Sequence, residues 1–149
     1  MRIVSVSDEF LETYGAGDRE FMFKRGRPCA LVVRLRFRGR RRDFCVPFRS
    51  NVSPNVPKDQ YFALPPRPTT RSGHRHGIHY IKMFPIERRF LRRFRTEGNP
   101  YYETIQRILD AHEKEIVNAC QSYLERYELD GRPRFAVDLD RIIDMLERG

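Results

Sequence analysis

Three histidines fall close together at His74, His76 and His79, and histidine is the side chain whose ordinary pKa lets it take or give a proton near neutrality. The spacing leaves three readings open. One of the set, His76 in first place, moves a proton; or all three touch a ligand or solvent from a polar loop; or they hold a metal. For a metal the cluster brings no nearby cysteine or carboxylate, so no metal and no other cofactor is expected. Upstream, ten basic residues and a single acid, Asp43, occupy the stretch from Lys24 to Arg49. That density attracts a polyanion, because each bound phosphate releases condensed counterions. Nucleic acid is the natural partner.

The charge is distributed unevenly along the chain. Residues 1–98 hold 22 Lys and Arg against 9 Asp and Glu, whereas residues 99–149 hold 7 against 11, giving a net charge of +9 over the whole. The basic function therefore belongs to the first two thirds. Within it, Cys29, Leu31, Val33, Leu35 and Phe37 alternate with Arg34, Arg36 and Arg38, the pattern of a half-buried strand with an arginine stripe. The stripe is either an RNA groove or an ordinary solvated strand face. Gly39 and its arginines read as a hairpin tip, followed by a returning strand from Arg42 to Phe48 whose end Pro47 places at a sheet edge.

The remaining elements follow from punctuation and periodicity. Arg2–Ser7 reads as a strand and Ser7-Asp8-Glu9 as the start of a short helix through Tyr14. Gln60–Leu64 and Ile78–Phe84 read as strands around a Pro/Arg/His/Gly-rich loop from Pro65 to Gly77, and loops of that length are usually functional or disordered. Glu87–Arg95 reads as one or two helical turns, with Phe90, Leu91 and Phe94 inside and an arginine cluster outside. Asn99-Pro100 caps a long helix running to about Glu128, on whose apolar stripe His112 falls as a core histidine. Asp138 caps a final short helix. Strands followed by helices indicate the α+β class: a small, strongly curved, barrel-like antiparallel sheet with the long helix packed on it, all within one domain over residues 1–149.

No stretch reaches the roughly 20 apolar residues of a membrane span, and Met1–Val6 reads as a strand rather than a signal peptide. A cytoplasmic protein with no membrane partner is expected. Cys29, Cys45 and Cys120 form no C-x-x-C pair and read as reduced packing residues, with a Cys29–Cys45 bridge as the alternative.

Several motifs, in order, resemble those of one toxin family. Arg27-Pro28-Cys29-Ala30-Leu31-Val32-Val33, the hairpin after it, and Phe44-Cys45-Val46-Pro47-Phe48-Arg49-Ser50 resemble the central hairpin of the ToxN/AbiQ toxins of type III toxin–antitoxin systems. Gly77–Ile86 is similar to that family's Ile-Asn-x-x-x-Met-Ile-Pro strand, and Pro100-Tyr101 to the opening of its long helix. The resemblance implies a sheet fold related to the MazF/Kid toxins and a role in phage defence. It also implies metal-independent, sequence-selective cleavage of single-stranded RNA to 2′,3′-cyclic phosphate and 5′-hydroxyl ends. The partners it implies are the RNA substrate and a repeat-derived, pseudoknotted RNA antitoxin, with a toxin–RNA ring as one assembly.

Position by position, the family's groove lysine falls on Arg27 and its turn serine on Ser50, while Phe23 stands where the family has tyrosine and Arg49 where it has threonine. Arg27 and Arg49 suit neutralisation of a pentavalent phosphorus, since the planar guanidinium grips phosphate oxygens through paired hydrogen bonds. Neither is a general base, because arginine stays protonated. Ser50 could orient the 2′-hydroxyl or the phosphate, and His76 completes the candidate catalytic set. Phe23, Lys24, Arg34, Arg36, Arg38, His74, His79 and Lys82 form the candidate RNA-binding set. Phe21, Phe23 and Tyr61 either stack on unpaired bases or belong to the core. Two other functions stay open: a binding module that holds RNA without cutting it, and a toxin neutralised by an acidic protein.

Overall fold

Local chemistry sets the element ends. Ser7 accepts a hydrogen bond from the Phe10 amide and starts helix α1 (Asp8–Tyr14) directly after strand β1 (Arg2–Val6). Arg38 and Gly39 both take positive φ, 53° and 76°, the two-residue turn whose twist matches paired strands; it joins β2 (Ala30–Phe37) to β3 (Arg40–Val52). Four further strands follow: β4 (Tyr61–Leu64), β5 (Arg75–His79), β6 (Phe84–Ile86) and β7 (Leu91–Arg93). Asn99 then caps α2 (Pro100–Ala111) with proline in its first turn, α3 (Glu113–Asp130) continues, and Asp138 caps α4 (Leu139–Arg148). These elements come from a computed structural model that describes residues 1–21 and 30–149. Phe23, Lys24, Arg27 and Cys29 lie outside the described residues.

The seven strands form one antiparallel sheet in the order β4-β5-β3-β2-β1-β7, with β6 also paired to β3. The sheet is not closed, and its outer strands are only four and three residues long; short edges of this kind discourage pairing with another chain. Both faces are covered. Phe44 meets Phe37 (ring centroids 6.3 Å), which meets Tyr127 of α3 (5.6 Å). The next residue, Cys45, points the other way and pairs with Phe84, whose ring stacks on Phe10 of α1 (5.6 Å). Hence Phe44 through Pro47 are all buried, as in a strand covered on both faces.

Four further expectations are corrected. β3 does not end at Pro47 but runs to Val52, because Pro47 falls where the neighbour of β3 changes from β6, at Asp43–Cys45, to β5, at Phe48–Val52. A residue without an N–H is tolerated at such a gap in the ladder. Leu91–Arg93 forms an edge strand against Val4–Val6 rather than a helix, after a single 3-10 turn at Arg88–Phe90. The long helix breaks at His112 (φ −113°, ψ 19°), whose amide is shared between the Ile108 and Leu109 carbonyls. The His112 ring pairs with Glu115 at 3.0 Å and is half exposed rather than in the core.

The acidic last third answers part of the basic hairpin. Arg38 binds Asp140 through Nε (3.2 Å) and Nη2 (2.9 Å), and Arg40 and Arg42 converge on Glu147. Gln121 of α3 bonds both the N–H (2.9 Å) and the C=O (2.8 Å) of Arg36, closing the stretch of β2 that β1 does not cover.

Candidate active site

The site is built on the strand trio β3-β5-β4. Arg49 lies opposite Gly77 and Gly77 opposite Ala63; one step along, on the same face, His79 lies opposite Tyr61, since side chains two apart in a strand share a face. Gly77 lets the β4 backbone approach closely in this row, because a Cβ there would stand 2.4 Å from the Phe62 carbonyl oxygen. Arg49 crosses the row diagonally and its Nη1 reaches His79 Nδ1 at 3.2 Å. Arginine can only donate, so Nδ1 accepts and the remaining ring proton sits on Nε2. That atom is buried with no hydrogen-bond partner among the described residues.

The electrostatics agree with this tautomer. His79 is 3% exposed. Burial, then the charges of Arg49 and Lys82, push its pKa down to about 3, so it is neutral at pH 7. Arg49 itself is lowered by burial and supported by the charge of Glu20. His79 therefore fixes the guanidinium in place rather than carrying a proton.

A bulge follows. Between the pairs Arg49–Gly77 and Val52–Arg75, β3 advances three residues and β5 two, so Ser50 and Asn51 together face His76. Bulges re-aim side chains and are common beside functional sites. Asn51 uses its side chain to hold the 65–74 loop, accepting from the Arg71 amide (2.7 Å) and donating to the Thr69 carbonyl (3.2 Å). His76, 2% exposed, sits under that loop with its Nδ1 2.6 Å from the Tyr101 hydroxyl and 3.1 Å from the Pro65 carbonyl. Burial lowers the His76 pKa, against the Pro65 hydrogen bond and with the help of Arg67. Burial likewise raises Tyr101, to about 12, while Arg67 opposes the rise. Arg67 lies over the Tyr101 and Tyr102 rings, at 5.2 and 5.6 Å, and donates to the Tyr102 hydroxyl at 2.9 Å.

Of the candidate catalytic residues, Arg49 and Ser50 adjoin the bulge, while His76 lies across the ladder from Ser50 and Asn51 with its ring beside Phe48 on the sheet face opposite Arg49 and His79; Arg27 lies outside the described residues, as do Phe23 and Lys24 of the binding set. The other candidates are dispersed. Lys82, 6% exposed, gives its ammonium to Glu20 (2.7 Å) and the Phe135 carbonyl (2.6 Å), and is held inside rather than displayed. His79 is covered in the same way, and His74 turns its Nδ1 toward the Ser72 carbonyl (3.4 Å). Arg34, beside Asp43 at 3.4 Å, lies about 20 Å along the hairpin from Arg49, six residues at roughly 3.3 Å each. There Arg34, Arg41, Arg42 and Arg88, with Asp43, Ile86 and Glu87, line a shallow cleft of about 560 Å³. Arg36 is exposed on the same stripe, and Arg38 is held by Asp140.

Four participants escaped the sequence reading. Tyr101 stood in a quoted motif but showed no partner until α2 brought it to His76. Glu20, Asn51 and Arg67 carried no signal beyond being polar residues in or beside loops.

An open antiparallel sheet with helices on both faces, and arginine and serine at a bulge of its longest strand with a histidine across the ladder, defines a basic α+β protein. No family model matches the chain, and no curated protein matches it. Solved structures do. One is ToxN, of a bacterial antiviral system that a processed non-coding RNA regulates: 15% identical, covering 100% of this chain and 99% of that one, with a TM-score of 0.73. Another is AbiQ, a lactococcal anti-phage endoribonuclease of a type III toxin–antitoxin system: 14% identical, covering 99% and 96%, with a TM-score of 0.72. The chain has the fold of the ToxN/AbiQ endoribonuclease toxins along its whole length.

Proposed function

We propose that this protein is the toxin of a type III toxin–antitoxin system, an endoribonuclease that cuts single-stranded RNA without a metal ion and is restrained by an RNA antitoxin. The observation that carries the reading is the end-to-end fold match to two such toxins, with Arg49 and Ser50 at the bulge where the sequence motif put the active turn. The same reading carries the MazF/Kid relationship of the sheet, a role in phage defence, and assembly of toxin and RNA into rings.

In this mechanism the 2′-oxygen attacks phosphorus and the bond to the 5′-oxygen breaks, leaving a 2′,3′-cyclic phosphate and a 5′-hydroxyl. The reaction must neutralise the extra charge on phosphorus, align the nucleophile, pass the 2′-hydroxyl proton to a water molecule, and supply a proton to the leaving oxygen. Arg49, positioned by neutral His79, grips the phosphate together with Arg27. Ser50 aligns the 2′-hydroxyl. The Tyr101 phenol, held beside His76 Nδ1 and protonated at neutral pH, gives its proton to the 5′-oxygen and takes one back from water, with the neutral imidazole holding the phenol oxygen in place. Tyr101 would then do what Phe23 cannot.

One observation favours a second reading, an RNA-binding module without catalysis: both buried site histidines have lowered pKa values, and Phe23 brings no hydroxyl. Induced expression in a bacterial host separates the two. The toxin reading expects growth arrest that Ser50→Ala and Arg27→Ala each relieve at equal protein level, and that co-expression of a repeat RNA from beside the gene suppresses. Arrest unchanged in both variants overturns the site assignment; suppression by an adjacent acidic protein and not by RNA overturns the type III reading.

A further inference from the structure

Phe135 departs from the rules that govern the rest of the chain. It is 58% exposed and sits at φ 68°, a left-handed conformation that a bulky side chain adopts only when the surroundings hold it there. The holding groups are visible. Its carbonyl accepts from the buried Lys82 ammonium at 2.6 Å. The two residues after it, Ala136 and Val137, are buried, and the Val137 amide reaches the Ile81 carbonyl at 3.4 Å. A turn needed only for chain reversal would be served by glycine. Here the strain presents a phenyl ring to solvent.

The position of that ring gives it a use. Lys82 links the Phe135 carbonyl to Glu20 and stands three residues along the chain from His79, which holds Arg49. The loop therefore borders the Arg49–His79 face rather than lying at a remote surface. Arg134 places its guanidinium 4.7 Å from the ring centroid, and Arg132, two residues further back and half exposed, pairs with Asp138 at 3.5 Å. An exposed aromatic ring with arginines beside it is the combination that binds unpaired bases: the ring stacks on a base of any sequence while the guanidinium meets the adjoining phosphate.

We propose that Phe135 is a stacking platform for one unpaired base of the RNA that enters the Arg49–His79 face, with Arg134 contacting the neighbouring phosphate. The inference rests on the RNA-cleaving reading of that face and adds a subsite to it. Single-stranded nucleic acid is therefore preferred to duplex at this point, because a base inside a helix already has both faces stacked.

The test uses the full chain and a fluorescent 2′-O-methyl RNA, which lacks the attacking hydroxyl and is not cut, as a single strand and as a duplex. Phe135→Gly removes the ring and also relieves the positive φ. It should weaken single-strand binding by about tenfold, leave duplex binding and the salt dependence of binding unchanged, and melt at or above the wild-type temperature. Phe135→Trp should bind within about twofold of wild type, since it retains a stacking face. Phe135→Gly binding the single strand as tightly as wild type overturns the subsite while leaving the nuclease reading intact. A Phe135→Gly protein that melts lower, or that loses single strand and duplex in parallel, makes the ring a packing element and overturns it as well. Wild-type protein with no affinity for either RNA overturns the subsite and the proposed function together.

Discussion

Acidification should remove a definable part of the protein's stability through His79. The unfolded chain offers this imidazole its ordinary pKa of about 6.5, whereas burial beside Arg49 and Lys82 drives the folded value to about 3. Between those values the unfolded state binds the proton and the folded state does not, so stability rises with pH across the window and is lost as pH falls from about 6.5 toward 3. Moving from pH 7 to pH 4 spans about 2.5 units of that window, worth about 3 kcal/mol at 1.36 kcal/mol per unit. With a urea m-value of about 2 kcal/mol per M, the midpoint should fall by about 1.5 M from this residue alone.

Acid acts on other parts of the chain as well, so the comparison is with His79→Gln, which keeps an acceptor for Arg49 but has no imidazole proton to bind. Urea unfolding of both proteins at pH 7 and pH 4 isolates the term as the difference between their losses. The reasoning fails if the two proteins lose stability in parallel: His79 would then be solvated or differently paired, and the fixed tautomer that orients Arg49 would go with it. The same burial has a consequence for catalysis, since the cleavage rate should show no inflexion near pH 6.5.

Arg49→Ala should lower the cleavage rate by about 100-fold or more, the usual effect of losing a group that meets transition-state charge, with the melting temperature little changed; a near-wild-type rate in a single-turnover assay would remove Arg49 from the mechanism. Gly77→Ala should destabilise by about 1–3 kcal/mol, because the new Cβ meets backbone, the Phe62 carbonyl at 2.4 Å, and thermal melting would show it. Gln121→Ala leaves the Arg36 N–H and C=O without the amide that pairs both. Its expected cost is about 1–2 kcal/mol in urea unfolding, and an unchanged midpoint would mean that water replaces the amide fully.

What the sequence disclosed was mostly local. The Arg38-Gly39 turn, the Ser7, Asn99 and Asp138 caps, and the alternation of β2 were readable because each depends on a few neighbouring residues. Leu91–Arg93 was not, since a three-residue edge strand bordered by arginines has too few residues to show period two, and its identity comes from β1 lying beside it. The break at His112 was hidden for a related reason: apolar spacing continues across it, and only the half-exposed ring and the shared amide show that the stripe is interrupted. The site was legible as residue types and not as environments. His76, His79 and Lys82 look alike in a sequence whether solvated or buried, and their partners Tyr101, Arg49 and Glu20 lie 25, 30 and 62 residues away. The arginine stripe read as a free cationic surface because the acids that answer Arg38, Arg40 and Arg42 come from α4, more than 100 residues further on.

The most direct test of the account is incubation of the purified protein with mixed single-stranded RNA in EDTA, followed by mapping of the new ends. The account predicts cuts at a short recurring motif with 2′,3′-cyclic phosphate and 5′-hydroxyl termini, lost in Ser50→Ala. RNA that stays intact, or that is cut equally by Ser50→Ala, would contradict it.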